Sequence, residues 1–207
     1  NGFAIRINER RILKAMAAYS GFAENEFEEV FIILDKMDKI GLEGVEKELV
    51  ELGYDTQAVE KYLDLFHELE NTDNSLDYLE KHLQGFIEED VINGLREIKT
   101  AVDTAKTADF QLKFDPTLVR GMSYYTGTIF EVTLPNFGGS CGGGGRYDKM
   151  IGSFTGKDVP ACGFSIGFER IILLLMEAEF QLPQQEKKIA FLMDKNLLTI
   201  DFLEVLA

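Results

Sequence analysis

The sequence predicts an α+β fold, with strand-forming stretches at the start and in the second half of the chain and a helical block between them. Three patterns carry that expectation. Apolar residues fall at every second position in residues 2–8, they recur at steps of three and four through residues 25–107, and β-branched and aromatic residues crowd residues 128–134.

In the first stretch Phe3, Ile5 and Ile7 alternate with Ala4, Arg6 and Asn8, the period of a half-buried strand. A helix follows from Arg10, with Ile12, Leu13 and Met16 on one side and Gly21 as its stop. From residue 25 the chain is charged and helical, without proline up to residue 107. Phe27, Val30, Phe31, Leu34, Met37 and Ile40 make one apolar helix face, which Gly41 and Gly44 are expected to break. Val45, Leu49 and Leu52 continue as a short helix to Gly53, and Asp55 caps a helix carrying Val59, Tyr62, Leu63 and Phe66. Leu76, Leu79 and Leu83 open another, and Val91, Leu95, Ile98 and Val102 close the block, for four or five helices in all.

Composition narrows the function classes. With 21 basic and 36 acidic residues the formal charge is -15, which repels a phosphate backbone at long range, so any nucleic-acid contact by this piece must be local. Cys141 and Cys162 are the only cysteines and form no CxxC pair, as suits free thiols in a reducing compartment, with cytoplasm the default. A disulfide between them stays open. No apolar run reaches the ~20 residues that span a bilayer, so no membrane is expected. His67 and His82 stand among carboxylates without the converging ligand spacing that a metal needs. The run Glu88, Glu89 and Asp90 reads as a solvated helix start. The chain opens without methionine, and residues 189–193 resemble a strand just beginning, so both ends are expected to be cut.

Residues 118–131 organise the chemistry. Residues 128–134 form a strand closed by Pro135, and before it Gly121 and Gly127 bracket a turn bearing Tyr124 and Tyr125, with Arg120 at its entrance. Arg120 lies between Val119 and Gly121, where a guanidinium can grip a carboxylate or phosphate through its flat fork of donors. A structural salt bridge explains it equally. The two tyrosines fit a pocket wall or a strand edge, and neighbours on a strand face opposite sides, so one of them at most would line a pocket.

Six glycines crowd residues 138–145, followed by Arg146 and Tyr147. They suit a strand whose backbone approaches a ligand, with Gly142 to Gly145 as a pocket floor, or a plain linker. A phosphate-binding loop is excluded, because residues 152–158 have three residues between the glycines and end in Asp158. A dinucleotide fingerprint is excluded too, for lack of a βαβ pattern. Residues 161–176 read as a strand and then a well-buried helix from Ile171 to Met176, with Arg170 in its first turn. A cation there opposes the helix dipole and is expected to serve an external anion, or to pair with Glu131 or Glu169.

Taken in order, residues 118–131, 142–148 and 163–170 resemble the histidine-specific signature, the glycine-rich strand and motif 3 of the histidyl-tRNA synthetases, class II aminoacyl-tRNA synthetases. The resemblance implies part of a class II synthetase-like antiparallel sheet with flanking helices and an all-helical insertion domain. Residues 1–24 would belong to the catalytic core after motif 2, 25–110 to the insertion, 111–185 to the core again, and 186–207 to a linker and the start of a C-terminal domain. Motif 1, most of motif 2 and the anticodon domain would be missing, so this piece alone is expected to be inactive. At Met122 and Ser123 many family members carry Leu and Asp.

The resemblance also implies roles. Arg120 would be the catalytic arginine on the ATP α-phosphate and the attacking histidine carboxylate, Tyr124, Tyr125 and Tyr147 would join Arg120 around bound histidine, and Arg170, Gly167 and Gly143 would face ATP, with Arg170 towards the γ-phosphate. Substrates would be histidine, ATP and tRNA(His), with Mg2+ arriving on ATP, no protein-held metal, and a homodimer at full length. The competing hypotheses are a regulatory subunit of ATP phosphoribosyltransferase built on the same fold, whose motifs usually degrade, and a purely structural helical adaptor, which leaves the glycine run unexplained.

Overall fold

The computed structural model describes residues 3–120, 124–134 and 137–180. Residues 1–171 and 172–207 are separate compact units. The strand start expected at 189–193, the segment 186–207, and Gly121, Met122, Ser123 and Pro135 lie outside the described residues.

Strand β1 spans Phe3–Glu9 and runs into helix α1, Arg10–Ser20. Gly21 ends α1 at φ 110, a left-handed cap that sends its N–H back to the Ala17 and Ala18 carbonyls. A 3-10 turn at Glu24–Glu26 leads to α2, Phe27–Leu34, then α3, Met37–Glu51, α4, Thr56–Glu70, α5, Ser75–His82, and α6, Glu89–Ala105. Asp55 caps α4 by accepting the Ala58 N–H, as the sequence suggests. The apolar face expected to run from Phe27 to Ile40 is instead divided between α2 and α3. Gly41 breaks the helix as expected: at φ 70 and ψ 176 it leaves the helical region and kinks α3 there, whereas Gly44, also expected to break it, lies within the helical run that follows. A β-carbon on Gly44 would press within 2.6 Å of the Ile40 side chain, so the two turns pack more closely than an alanine there would allow.

The sheet follows: β2, Phe110–Phe114, β3, Thr128–Leu134, β4, Phe137–Arg146, and β5, Cys162–Ile166, with α7 at Asp148–Thr155 and α8 at Phe168–Glu177. Strand order is β2-β1-β3-β4-β5, and only the β1–β2 pair is parallel. A parallel pair needs a long crossover. Here the helices between residues 10 and 105 supply it, which is why the helical block can interrupt the sheet without breaking it. One hydrophobic core runs from Ile7 through Ile12, Leu13 and Met16 of α1 to Phe31, Leu49, Tyr62 and Phe66 of the block, and on to Leu118 and Ile129.

Register divides the sheet's faces by chemistry. Ile5 stands opposite Val132 and Ile7 opposite Phe130, whereas Arg6 stands opposite Glu131 and Asn8 opposite Ile129. The Ile5 face is therefore apolar and the Arg6 face carries charge. The glycine run is strand, not linker, because β3 and β5 pair with it on both sides. The helix expected to bury Ile171 to Met176 does not do so: Ile172, Leu173 and Met176 are 39%, 53% and 71% exposed.

Candidate active site

The site grows from the way β1 holds the segment that precedes β3. Asn8, fully buried, donates to the Pro116 and Leu118 carbonyls at 3.2 and 2.9 Å, and Arg6 grips Asp115 at 2.7 Å and Thr117 Oγ1 at 3.1 Å. Leu118 and Val119 are buried in the core, so residues 115–119 are fixed from both sides. Arg120 is thereby delivered onto the charged face of the sheet. Its backbone is left-handed at φ 57, unusual for a residue with a side chain.

Its guanidinium lies against β4 at Gly143. A β-carbon there would stand 3.0 Å from Nη1 and 3.1 Å from Cζ, and 2.7 Å from the Phe130 carbonyl, so any other residue would force the guanidinium or the strand to shift. Nη1 also donates to Glu131 Oε1 at 3.3 Å. Both meanings of Arg120 thus coexist, since it has a carboxylate partner and stands over a strand that carries no side chains. Glu131, which was one expected partner for Arg170, belongs to Arg120 instead.

The three tyrosines meet beside it. Tyr124 and Tyr125 precede β3, so strand alternation does not separate them, and their ring centroids are 4.6 Å apart. Tyr147, entering α7, meets Tyr124 edge to face at 5.9 Å and Tyr125 at 6.5 Å. Tyr125 is buried and packs over Gly145, where a β-carbon would lie 2.8 Å from its ring, while Tyr124 is 37% exposed. Burial, and next the neighbouring Tyr124 hydroxyl, push the Tyr125 phenol up, with Arg120 pulling the other way. Tyr147 reaches back over Gly163 of β5.

Arg170 forms a second cluster on the same strand. It donates to the Ser140 carbonyl and lies along Gly139 and Gly167, where β-carbons would stand 3.5 Å from Nη1 and 3.3 Å from Cδ. Neither of its expected carboxylate partners is bonded to it among the described residues. Both arginines therefore line β4, Arg120 at Gly143 and Arg170 three residues earlier at Ser140. Cys141 is buried and Cys162 exposed, both as free thiols. Among the described residues no helix is long and apolar enough to cross a membrane, and no group of three His, Cys, Asp or Glu could hold a metal.

The supporting residues Arg6, Asn8, Asp115 and Thr117 escaped sequence reasoning. A signal existed in the alternation of residues 3–8, which turns Arg6 and Asn8 away from the apolar face that Ile5 and Ile7 share.

The family profile described as Histidyl-tRNA synthetase matches residues 1–171. A histidine--tRNA ligase of Leifsonia xyli subsp. xyli is 45% identical over 186 residues, which is 83% of this chain and 40% of that protein, so the chain spans about two fifths of the relative's length. The crystal structure of histidyl-tRNA synthetase from Nostoc sp. PCC 7120 superposes with a TM-score of 0.76 at 28% identity, covering 99% of this chain and 49% of that one. An ATP phosphoribosyltransferase regulatory subunit/histidyl-tRNA synthetase from Bacillus halodurans C shares the fold, with a TM-score of 0.64 at 21% identity over 87% of this chain and 45% of that one. With its profile match reaching across the sheet, the helical block and both arginine clusters, the chain belongs to the histidyl-tRNA synthetase family.

Proposed function

We propose that this chain is the central part of a histidine–tRNA ligase, and that the Arg120 cluster is its amino-acid and adenylation site. One observation carries the reading: in a chain of this family, a guanidinium stands over side-chain-free Gly143 beside three clustered tyrosines. In the reaction the histidine carboxylate attacks the ATP α-phosphate, the bond to pyrophosphate breaks, and a ribose hydroxyl of tRNA(His) later takes the acyl group and releases AMP.

Arg120 serves both anions that meet in the first step. It stabilises charge building on the α-phosphate while it orients the carboxylate, an electrostatic and positioning task. Tyr124, Tyr125 and Tyr147 form the wall around the imidazole. A buried phenol that stays protonated offers a donor or acceptor to a ring nitrogen, and a pocket built on such bonds rejects apolar side chains of the same size. Arg170, Gly167 and Gly143 take the nucleotide side, where glycines admit the phosphates to the backbone. Mg2+ enters on the ATP phosphates and offsets their charge.

Residues 25–110 are assigned as an insertion within the catalytic region, residues 1–24 and 111–185 as the core it interrupts, and 186–207 as the way to a C-terminal domain. At full length the protein is a cytoplasmic homodimer that takes histidine, ATP and tRNA(His), and this piece alone does not complete the reaction.

The test is histidine-dependent exchange of labelled pyrophosphate into ATP by the full-length protein. Label is expected in ATP with histidine and not with other amino acids. Exchange absent both with and without tRNA would move the protein to the regulatory role.

A further inference from the structure

Four charges stand in a row on the polar face of the sheet. Arg120 meets Glu131 at 3.3 Å, Glu131 meets Arg6 at 3.6 Å, and Arg6 meets Asp115 at 2.7 Å. Their side chains are all between 15% and 19% exposed, so water screens them weakly. The row closes on itself along the chain, because Asp115 begins the segment that ends in Arg120.

The two arginines do not share Glu131 equally. Arg6 already has Asp115 and, at 2.9 Å, Asp38, and its contact with Glu131 is the longest of the row. Glu131 is thus left chiefly to Arg120. It engages that guanidinium through one donor at 3.3 Å rather than through a two-bond fork. A fork would occupy the edge that an incoming anion needs, whereas a single contact on Nη1 turns the group without capping it. Directly across the ladder from Glu131 stands Gly143, the residue under the guanidinium.

We infer that Glu131 is a positioning residue for the adenylation step, holding the Arg120 guanidinium over Gly143 with Arg6 and Asp115 fixing Glu131 and the Arg120 segment from behind. The inference rests on the role proposed for Arg120. It acts through Arg120 and touches no substrate. A left-handed backbone at Arg120 fits this, since such a conformation persists where the surroundings over-determine it.

The test uses the full-length protein with E131Q, which keeps the size and removes the charge, in wild-type and R120A backgrounds. Histidine-dependent pyrophosphate exchange by E131Q is expected to lose roughly 10- to 100-fold in kcat, the scale set by a misplaced catalytic group, with the histidine KM changed by less than about threefold. In the R120A background the same change is expected to cost less than about twofold, because the group it positions is gone. A crystal structure of E131Q is expected to show the guanidinium displaced from Gly143. An unchanged kcat, an equal loss in both backgrounds, or an Arg120 that stays in place each overturns the inference. If the wild-type protein shows no exchange, the synthetase assignment fails separately, and the crystal structure alone decides whether Glu131 holds Arg120.

Discussion

Tyr147 sends its hydroxyl across Gly163, into the space where any side chain at that position would stand. A methyl group there would collide with the hydroxyl and lie 3.3 Å from the nearest ring carbons, so the tyrosine wall depends on a glycine one strand away. Gly163→Ala is expected to push Tyr147 out of the cluster. Histidine KM should rise about tenfold, near 1.4 kcal/mol of binding, with kcat reduced less. Steady-state exchange kinetics at varied histidine check it, and an unchanged KM would remove Tyr147 from the histidine wall.

Asp115 gives a pH dependence. Burial opposes its ionisation, but the bonds from Thr117 and Arg6 prevail and hold its carboxyl below the ordinary carboxylate range. A folded-state value below the unfolded one means that the unfolded chain binds the proton first as pH falls. The contribution is therefore fully present above about pH 4, the ordinary Asp value, and is lost as pH drops through the lower folded value. Asp115→Asn is expected to cost about 1–3 kcal/mol at pH 7, and the gap to wild type should narrow below about pH 4. Urea unfolding at several pH values measures both, and a gap that widens in acid would contradict the sign.

Tyr62 is the opposite case. Its ring is fully buried against Phe22 and Phe66, and its hydroxyl has no hydrogen-bond partner among the described residues. Burial pushes the phenol well up, with Arg10 opposing. A buried hydroxyl without a partner has lost its hydration for no return. Tyr62→Phe is expected to leave stability unchanged or raise it by up to about 1 kcal/mol. A loss of more than about 1 kcal/mol on denaturant unfolding would mean that the hydroxyl is bonded after all.

The elements that could be read in the sequence are those whose signal is local. The alternation of residues 3–8 gives β1, Asp55 marks the start of α4 and Gly21 the end of α1, because a strand period or a cap needs only a few neighbouring residues. Gly41 interrupts α3 as its backbone freedom suggests, whereas Gly44 is held inside the helix that follows, a difference that residue type alone does not reveal. The apolar residues of α8 suggested burial, but periodicity states which side chains want cover and not whether cover is present. At the candidate site, residue type left Arg120 and the tyrosines open to structural readings, and the family resemblance singled out Arg120, Tyr124, Tyr125, Tyr147 and Arg170. What holds them was not legible, since Arg6 and Asp115 are 109 residues apart and Asn8 and Leu118 110 apart, and only the β1–β2 and β1–β3 pairings bring them together.

The central claim assigns Arg120 to the transition state more than to the ground state, and Arg120→Ala in the full-length protein separates the two. Histidine-dependent pyrophosphate exchange is expected to fall about 100- to 1,000-fold, the loss typical of one removed electrostatic donor, while the histidine dissociation constant rises by less than about fivefold. An affinity loss as large as the rate loss, or a rate that survives the substitution, would contradict the account.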